Sequence, residues 1–109
     1  MSNSKANPIV FDFTVLNNAK FSKEQKSIFT FEGVNKSDKP IYYVKSIPSC
    51  GCTTSAQPTV INPNERFTIA LQVDKVGQSG YTSQNMRFFY RNDDFPNVEF
   101  VLQVSGTIQ

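Results

Sequence analysis

The sequence predicts an all-β protein that folds as a single sandwich of about seven strands. Three observations support this prediction. Apolar and polar residues alternate over several short runs, turn-forming residues separate these runs at fairly regular intervals, and no segment shows the apolar period of a helix. A chain of 109 residues has the length of one domain. Parallel βα architectures are excluded, because they need helices to connect their strands.

The first half of the chain contains three predicted strands and one predicted turn. β-Branched and aromatic residues predict strands over residues 9–13, 27–35 and 41–45. Between the first two strands, Asn17 and Asn18 predict a turn, because asparagine tolerates left-handed backbone geometry. The polar residues that follow this turn are not predicted to form a helix.

The second half of the chain contains the clearest alternation. It predicts strands over residues 66–74, 81–92 and 98–108, each with every second residue facing the core. The predicted core residues of these strands are Phe67, Ile69, Leu71, Val73, Met86, Phe88, Tyr90, Val98, Phe100, Leu102 and Val104. Ten phenylalanines and no tryptophan mean that phenylalanine supplies much of the core.

Residues 53–60 are small and polar and contain Pro58, which cannot donate a hydrogen bond to a neighbouring strand. This segment is therefore predicted to lie at the edge of a sheet. A tight turn follows it at Pro63, Asn64 and Glu65, where proline fixes φ and asparagine suits a positive φ.

The composition excludes several classes of function. The chain contains no histidine, which rules out Ser-His-Asp and Cys-His catalysis and every histidine-containing metal site. A dispersed net charge of +2 is too small for a nucleic-acid interface. No apolar run reaches the roughly 20 residues of a membrane helix, and glycine is too sparse for a phosphate-binding loop. We predict no cofactor.

The polar residues 1–7 predict a disordered leader or tether, so that the folded domain covers residues 8–109. No signal peptide is visible. Two localisations therefore remain open. The protein is either cytoplasmic, or exported after removal of a signal or lipoprotein segment that precedes Met1.

The most distinctive stretch is Ser49-Cys50-Gly51-Cys52-Thr53, which holds both cysteines. It joins the third predicted strand to the predicted edge segment. In one interpretation both thiols are reduced and pack as small apolar groups, with Gly51 supplying a backbone angle or a close approach. In a second they form a local disulfide, which a bend at Gly51 permits. Closing so short a loop stabilises the chain by roughly 1.5 kcal/mol.

Two further interpretations give Cys50 and Cys52 a metal or redox role. Two thiolates suit Cu(I) or Zn(II), but zinc takes four ligands and the chain has no other cysteine. Met86 is a soft ligand that the alternation places in the core, so a metal site would have to be shared between two copies. As a reactive thiol, either cysteine has only Lys45 nearby to lower its pKa.

Other charged residues have simpler explanations. Lys45, Arg87 and Arg91 are predicted to face outward from one sheet, as a small basic patch or as an ordinary solvated surface. Asp93 and Asp94 form a carboxylate pair that is explained by a turn.

The order of several short motifs resembles that of the DUF1573 family. The residues that carry the resemblance are Phe11-Asp12-Phe13, Phe31, Asn35, Ser49-Cys50-Gly51-Cys52-Thr53, Pro63-Asn64-Glu65, Gly80 and Gly106. Members of the family carry a Ser-Cys-Gly-Cys-Thr core and a Pro-Gly-Glu turn. The sequence departs from them at Asn64, where the family usually has glycine, and at Ser37, where the loop often has one.

The resemblance implies an immunoglobulin-like sandwich akin to PapD, major-sperm-protein and ASH domains. It also implies a bacterial envelope protein that is exported or lipid-anchored, and therefore periplasmic or at the cell surface. The biochemical role of the family is not established.

Two hypotheses about function follow. In the first, the protein is a non-enzymatic binding or structural module of the bacterial envelope, which binds a protein partner by strand addition at residues 53–60. In the second, it is a soft-metal (copper) or thiol-redox protein that acts through Cys50 and Cys52. Neither hypothesis includes nucleic acid or a membrane span.

Overall fold

The computed structural model describes residues 7–109. In this part of the chain nine strands form two sheets and no helix is present, so the predicted all-β sandwich is confirmed with nine strands in place of about seven. The strands are β1 (Ile9–Phe11), β2 (Val15–Phe21), β3 (Ser27–Asn35), β4 (Ile41–Pro48), β5 (Thr53–Ala56), β6 (Val60–Ile61), β7 (Arg66–Val73), β8 (Gly80–Arg91) and β9 (Val98–Ile108).

The nine strands divide into a four-stranded and a five-stranded sheet. The first has the order β1-β3-β7-β5 and the second the order β2-β9-β8-β4-β6. The strands pair antiparallel except for β2, which runs parallel to β9. Consecutive strands therefore often lie in different sheets, and the chain crosses between the layers several times.

The core lies between the two sheets and is built from the inward-facing residues of β3, β7, β8 and β9. All the core positions predicted for the second half of the chain are buried. Aromatic rings dominate it, as the composition predicted: the Phe100 ring stacks on Phe88 with centroids 5.2 Å apart and on Tyr90 at 5.8 Å. A buried apolar core of this kind is the main source of stability in a small domain.

The predicted turn at Asn17 and Asn18 is wrong. Both residues lie inside β2, where the register against β9 shifts between Leu16 and Ala19. Asn18 does have the positive φ that asparagine tolerates, at 59°. That conformation produces a bulge within a strand, and the bulge breaks the alternation that would have revealed the strand.

Residues 53–60 lie at sheet edges, as predicted, but they supply two strands instead of one. β5 is an edge of the four-stranded sheet, and β6, which begins at Val60, is an edge of the five-stranded sheet. Pro58 lies in the crossing between them. The crossing is held in place because the hydroxyl of Tyr90 donates a hydrogen bond to the Pro58 carbonyl oxygen, at 2.8 Å.

The predicted turn before β7 is confirmed. Asn64 has a φ of 60°, and the Glu65 N–H donates to the Asn62 carbonyl oxygen at 3.1 Å. The turn is anchored to the end of β3, because the Asn64 N–H donates to the Asn35 carbonyl oxygen at 2.7 Å. Asn64 therefore adopts the positive φ that glycine adopts most readily.

The predicted leader, over residues 1–7, lies outside the described residues except for its last one. The side chain of Asn7 donates to the Glu99 carbonyl oxygen at 3.0 Å and accepts from the Ile9 N–H at 2.9 Å. These contacts fix the chain where it enters β1.

Candidate functional site

The loop that contains both cysteines connects β4 in one sheet to β5 in the other. Its two ends continue the hydrogen-bonding ladders of the two sheets. The Ser49 N–H donates to the Asn85 carbonyl oxygen at 2.9 Å, and the Asp74 N–H donates to the Cys52 carbonyl oxygen at 2.9 Å. The loop is therefore held by β8 on one side and by the end of β7 on the other.

Cys50 and Cys52 form a disulfide bond, with their Cα atoms 5.4 Å apart. Of the four interpretations of this stretch, the local disulfide is the one that the structure shows. Gly51 has neither a positive φ nor a close neighbour, since a Cβ placed there would meet nothing within 4 Å. The expectation that Gly51 supplies a special backbone angle or a close approach is therefore wrong, and the space beside Gly51 is open.

Gln84, on the inner side of β8, connects this loop to the core. Its side chain is only 6% exposed, and its Oε1 accepts hydrogen bonds from the hydroxyls of Thr53 at 3.1 Å and Ser49 at 3.3 Å. The same oxygen lies 3.1 Å from Cys50 Sγ and 3.5 Å from Cys52 Sγ. Four residues of the Ser-Cys-Gly-Cys-Thr motif thus converge on one amide oxygen.

The two contacts between Gln84 Oε1 and the sulfurs differ from the two hydrogen bonds that this oxygen accepts from the hydroxyls of Ser49 and Thr53. A bridged sulfur carries no proton, so these are contacts and not hydrogen bonds. The amide group is also fixed at its other end, because its Nε2 donates to the Thr82 hydroxyl at 2.9 Å. The oxygen therefore has to point at the loop.

The sequence interpretation did not identify Gln84, although the signal was present. Met86, Phe88 and Tyr90 were predicted to face inward, and stepping back two residues at a time places Gln84 and Thr82 on the same face. Polar side chains at core positions need buried hydrogen-bond partners. The nearest polar side chains available were those of the cysteine motif, which the topology brings beside β8.

Cys52 also borders an open cleft of about 340 Å³ on the surface. The cleft is lined by Lys26, Gly51, Cys52, Thr54, Gln72, Asp74, Val76 and Gln78. Its lining is mostly polar and carries one cation and one anion. A small polar molecule or an extended side chain can therefore reach Cys52 from this side.

The metal hypothesis receives no support from the arrangement of acidic and cysteine side chains. Among the described residues, no three Cys, Asp or Glu side chains cluster closely enough to hold a metal ion. Met86 is buried in the core, as predicted, at 2% exposure. Because both sulfurs belong to the bridge, any thiolate metal site would require reduction of the disulfide first.

The other candidate residues do not join the cysteine site. Lys45 lies over the Phe89 ring at 5.1 Å, and Arg87 pairs with Glu99 at 3.3 Å on the outer face of the five-stranded sheet. Arg91 lies four residues beyond Arg87 on β8, roughly 14 Å away. These cations are therefore spread over a solvated face that also carries an acid.

The turn formed by Pro63, Asn64 and Glu65 lies at the opposite end of the sandwich from the cysteines. It precedes β7, whereas the cysteine loop contacts the residue after that strand. Eight residues of β7 separate them, which is roughly 27 Å. The two motifs of the sequence thus belong to different ends of the domain.

The sequence of nearly the whole domain matches one protein family. The family described as "Protein of unknown function (DUF1573)" matches residues 9–108. The chain belongs to the DUF1573 family. No curated protein is similar enough to this DUF1573 member to match.

Two solved structures are similar to this DUF1573 domain in fold. The ASH / PapD-like domain 7 of human CEP192 has a TM-score of 0.75 at 10% identity, over 100% of this chain and 90% of that one. The VesB protease of Vibrio cholerae has a TM-score of 0.73 at 11% identity. That match covers 93% of this chain and 32% of VesB. At these identities the likenesses show a PapD-like, immunoglobulin-like sandwich and nothing about activity.

No helix among residues 7–109 is long and apolar enough to cross a membrane.

Proposed function

We propose that this DUF1573 domain is a non-enzymatic protein-binding module of the bacterial cell envelope, and that its partner adds a strand to the free edge of β5. The observation that supports the proposal is the orientation of the β5 backbone. The similarity to the ASH / PapD-like domain of CEP192 extends over the whole chain, and it supports a comparable module architecture.

The pairing register identifies which backbone groups of β5 face the free edge. The Asp74 N–H donates to the Cys52 carbonyl oxygen, so alternate residues from Cys52 onward bond to β7. Thr54 and Ala56 therefore bond inward. Ser55, between them, points its N–H and C=O away from β7 and toward the unpaired side. An incoming extended segment can bond to those groups.

The side chains of β5 also leave the edge accessible. The strand reads Thr-Thr-Ser-Ala, so it contains no charged residue, proline or bulky side chain. Natural edge strands often carry charged residues or proline, which prevent pairing with other chains. Their absence from β5 favours an edge that accepts a partner strand.

The envelope location rests on two supports. Disulfides persist in oxidising compartments such as the periplasm and are rare in the cytosol, and the structure contains the Cys50–Cys52 bridge. The family resemblance points the same way. Fractionation of cells that express the natural gene tests the location: recovery in the periplasmic or membrane fraction supports it, and recovery in the cytosol contradicts it.

A proline substitution at Ser55 provides a sharp test of strand addition. Ser55→Pro removes the outward N–H but none of the hydrogen bonds to β7, so the fold is expected to survive. The tagged variant and wild type would be used to capture partners from an envelope extract under native conditions. We expect the variant to lose the partners that wild type captures and to keep its circular dichroism spectrum.

Ser46→Pro is the matched control for this experiment. Ser46 lies on β4, in a part of the strand beyond the residues that pair with β6. Its neighbour Ile47 and the later Ser49 bond to β8, so the N–H of Ser46 also points outward. We expect this variant to capture the same partners as wild type. Unchanged capture by folded Ser55→Pro would refute strand addition at β5.

A further inference from the structure

We propose that the Cys50–Cys52 bridge is an exchangeable redox couple, which a thiol reductant opens by attack on Cys52. The proposal concerns an activity of the cysteine loop and does not depend on partner binding at β5. Four features of the loop support it: the length of the closed ring, the access to Cys52, the N–H bond to Cys50, and the position of Gln84.

The bridge is too local to be needed for stability. It joins residues two positions apart, so it removes little conformational freedom from the unfolded chain. The domain also has a large buried core that spans both sheets. A reduced domain is therefore expected to keep its fold, as a reversible couple requires.

The structure leaves the bridge open to an incoming thiol. The space beside Gly51 is empty to at least 4 Å from the position of an added Cβ. Cys52 borders the open cleft, whose lining includes Lys26 and Asp74. With one charge of each sign, the lining does not repel an approaching thiolate. Access to a sulfur is one of the factors that set the rate of disulfide exchange.

The two sulfurs have different environments. The backbone N–H of Cys52 donates to Cys50 Sγ at 3.3 Å. A hydrogen bond of this kind stabilises negative charge on the acceptor, so it favours Cys50 as the sulfur that leaves. Cys52 Sγ receives no such backbone bond among the described residues, and Cys52 is the cysteine that lines the open cleft. These features assign attack to Cys52.

Gln84 provides a hydrogen-bond acceptor for the reduced state. Its Oε1 already lies 3.1 Å from Cys50 Sγ and 3.5 Å from Cys52 Sγ. Once the bridge opens, either thiol can donate its S–H to that oxygen without movement of the amide, which Thr82 holds in place. This half-buried site is therefore suited to the dithiol as well as to the disulfide.

The exchange with a dithiol proceeds in two balanced steps. One thiolate of the reductant donates its electron pair to Cys52 Sγ and forms a mixed disulfide. The Cys50–Cys52 bond breaks, and its electron pair leaves on Cys50 Sγ, which takes a proton from water. The second thiolate of the reductant then attacks the reductant sulfur that is bonded to Cys52 Sγ. This releases Cys52 as a thiolate, which is also protonated. The protein gains two electrons and two protons, and the dithiol becomes a disulfide.

The first test is reduction of the native protein. Folded protein would be treated with dithiothreitol without denaturant and then alkylated. The mass of the intact chain would be measured by mass spectrometry. We expect both cysteines to be alkylated within minutes, the circular dichroism spectrum to be retained, and oxidised dithiothreitol to restore the bridge. A bridge that opens only in urea, or a dithiol that oxidised dithiothreitol leaves unchanged, would overturn the proposal.

The second test identifies the attacked sulfur. A brief treatment of the native protein with reduced glutathione, followed by an acid quench, traps the mixed disulfide for peptide mapping. We expect glutathione mainly on Cys52. A label mainly on Cys50 would overturn the assignment of the two sulfurs.

The third test concerns Gln84. In Gln84→Leu the thiols lose one neutral hydrogen bond, so the equilibrium with dithiothreitol is expected to shift about fivefold toward the disulfide. Gln103→Leu is the control, because Gln103 lies on the neighbouring strand and faces outward. Equal equilibrium constants for wild type and Gln84→Leu would refute the role of Gln84.

Discussion

The side-chain oxygen of Gln84 lies 3.1 Å from Cys50 Sγ. This contact joins the inner face of β8 to the loop that carries the chain from one sheet to the other. Because the same oxygen also accepts from Ser49 and Thr53, the geometry of the Ser-Cys-Gly-Cys-Thr motif depends on one buried amide. The motif is therefore part of the packing between the two sheets and also the chemically distinctive site of the domain.

This dependence predicts a clear loss of stability in Gln84→Leu. The substitution leaves the hydroxyl of Thr53, a residue that is 2% exposed, without its acceptor, and it also removes the donor to Thr82. A buried polar group that loses its partner costs about 1–3 kcal/mol. We expect the free energy of unfolding to fall by about 2 kcal/mol, measured by urea titration of the oxidised protein.

Gln103→Leu is the matched control for the stability measurement too. Its amide donates to Ser83 at 3.4 Å on an exposed face, so we expect a change within about 0.5 kcal/mol. If both variants lost the same amount, the buried amide would have no special role in holding the loop.

Alanine substitutions at two glycines should differ greatly in their effect on stability. A methyl group on Gly106 would overlap the carbonyl oxygen of Ala19, with which it pairs across β2 and β9. At Gly51 the same group would meet nothing within 4 Å. We expect Gly106→Ala to lose about 4 kcal/mol or more, or to fail to fold, and Gly51→Ala to change the melting temperature little. Thermal unfolding followed by circular dichroism measures both, and a stable Gly106→Ala would contradict the close approach of β2.

Part of the fold could be predicted from alternation alone, because most strands have one buried face. β3 and β9 were predicted with the bounds that the structure has. The predicted bounds of β8 were one residue too far along the chain. β2 was missed for a physical reason. Its register shifts between Leu16 and Ala19, so its buried residues do not follow a strict period of two.

The candidate site was predicted only in part, because its partners are distant in sequence. The motif itself was found, and a local disulfide was one of four open interpretations. Gln84 lies more than thirty residues from Cys50, and only the pairing of β4 with β8 brings them together. Asn35 is a similar case: it is fully buried, and it donates to the carbonyl oxygens of Lys39 and Ile61. The alternation along a strand can place such a polar side chain on the inner face, but no local pattern identifies its partner.

The last prediction concerns the pH dependence of stability through Tyr90. Its side chain is 1% exposed, and its hydroxyl donates to Pro58 at 2.8 Å. Burial raises the pKa of this phenol well above its usual value, and the nearby Tyr43 adds to the effect. The unfolded chain therefore ionises at this residue near pH 10, while the folded chain stays neutral.

The sign of the effect follows from linkage. A folded-state pKa that is raised gives stability that is complete below the unfolded pKa and is lost as the pH rises above it. Above about pH 10 the loss approaches 1.4 kcal/mol for each pH unit. Tyr90→Phe lacks this group. The free energy of unfolding of wild type, relative to that of the variant, should therefore fall by about 1.4 kcal/mol between pH 8 and pH 11. Urea titrations at the two pH values measure it, and a constant difference would mean that Tyr90 ionises equally easily in both states.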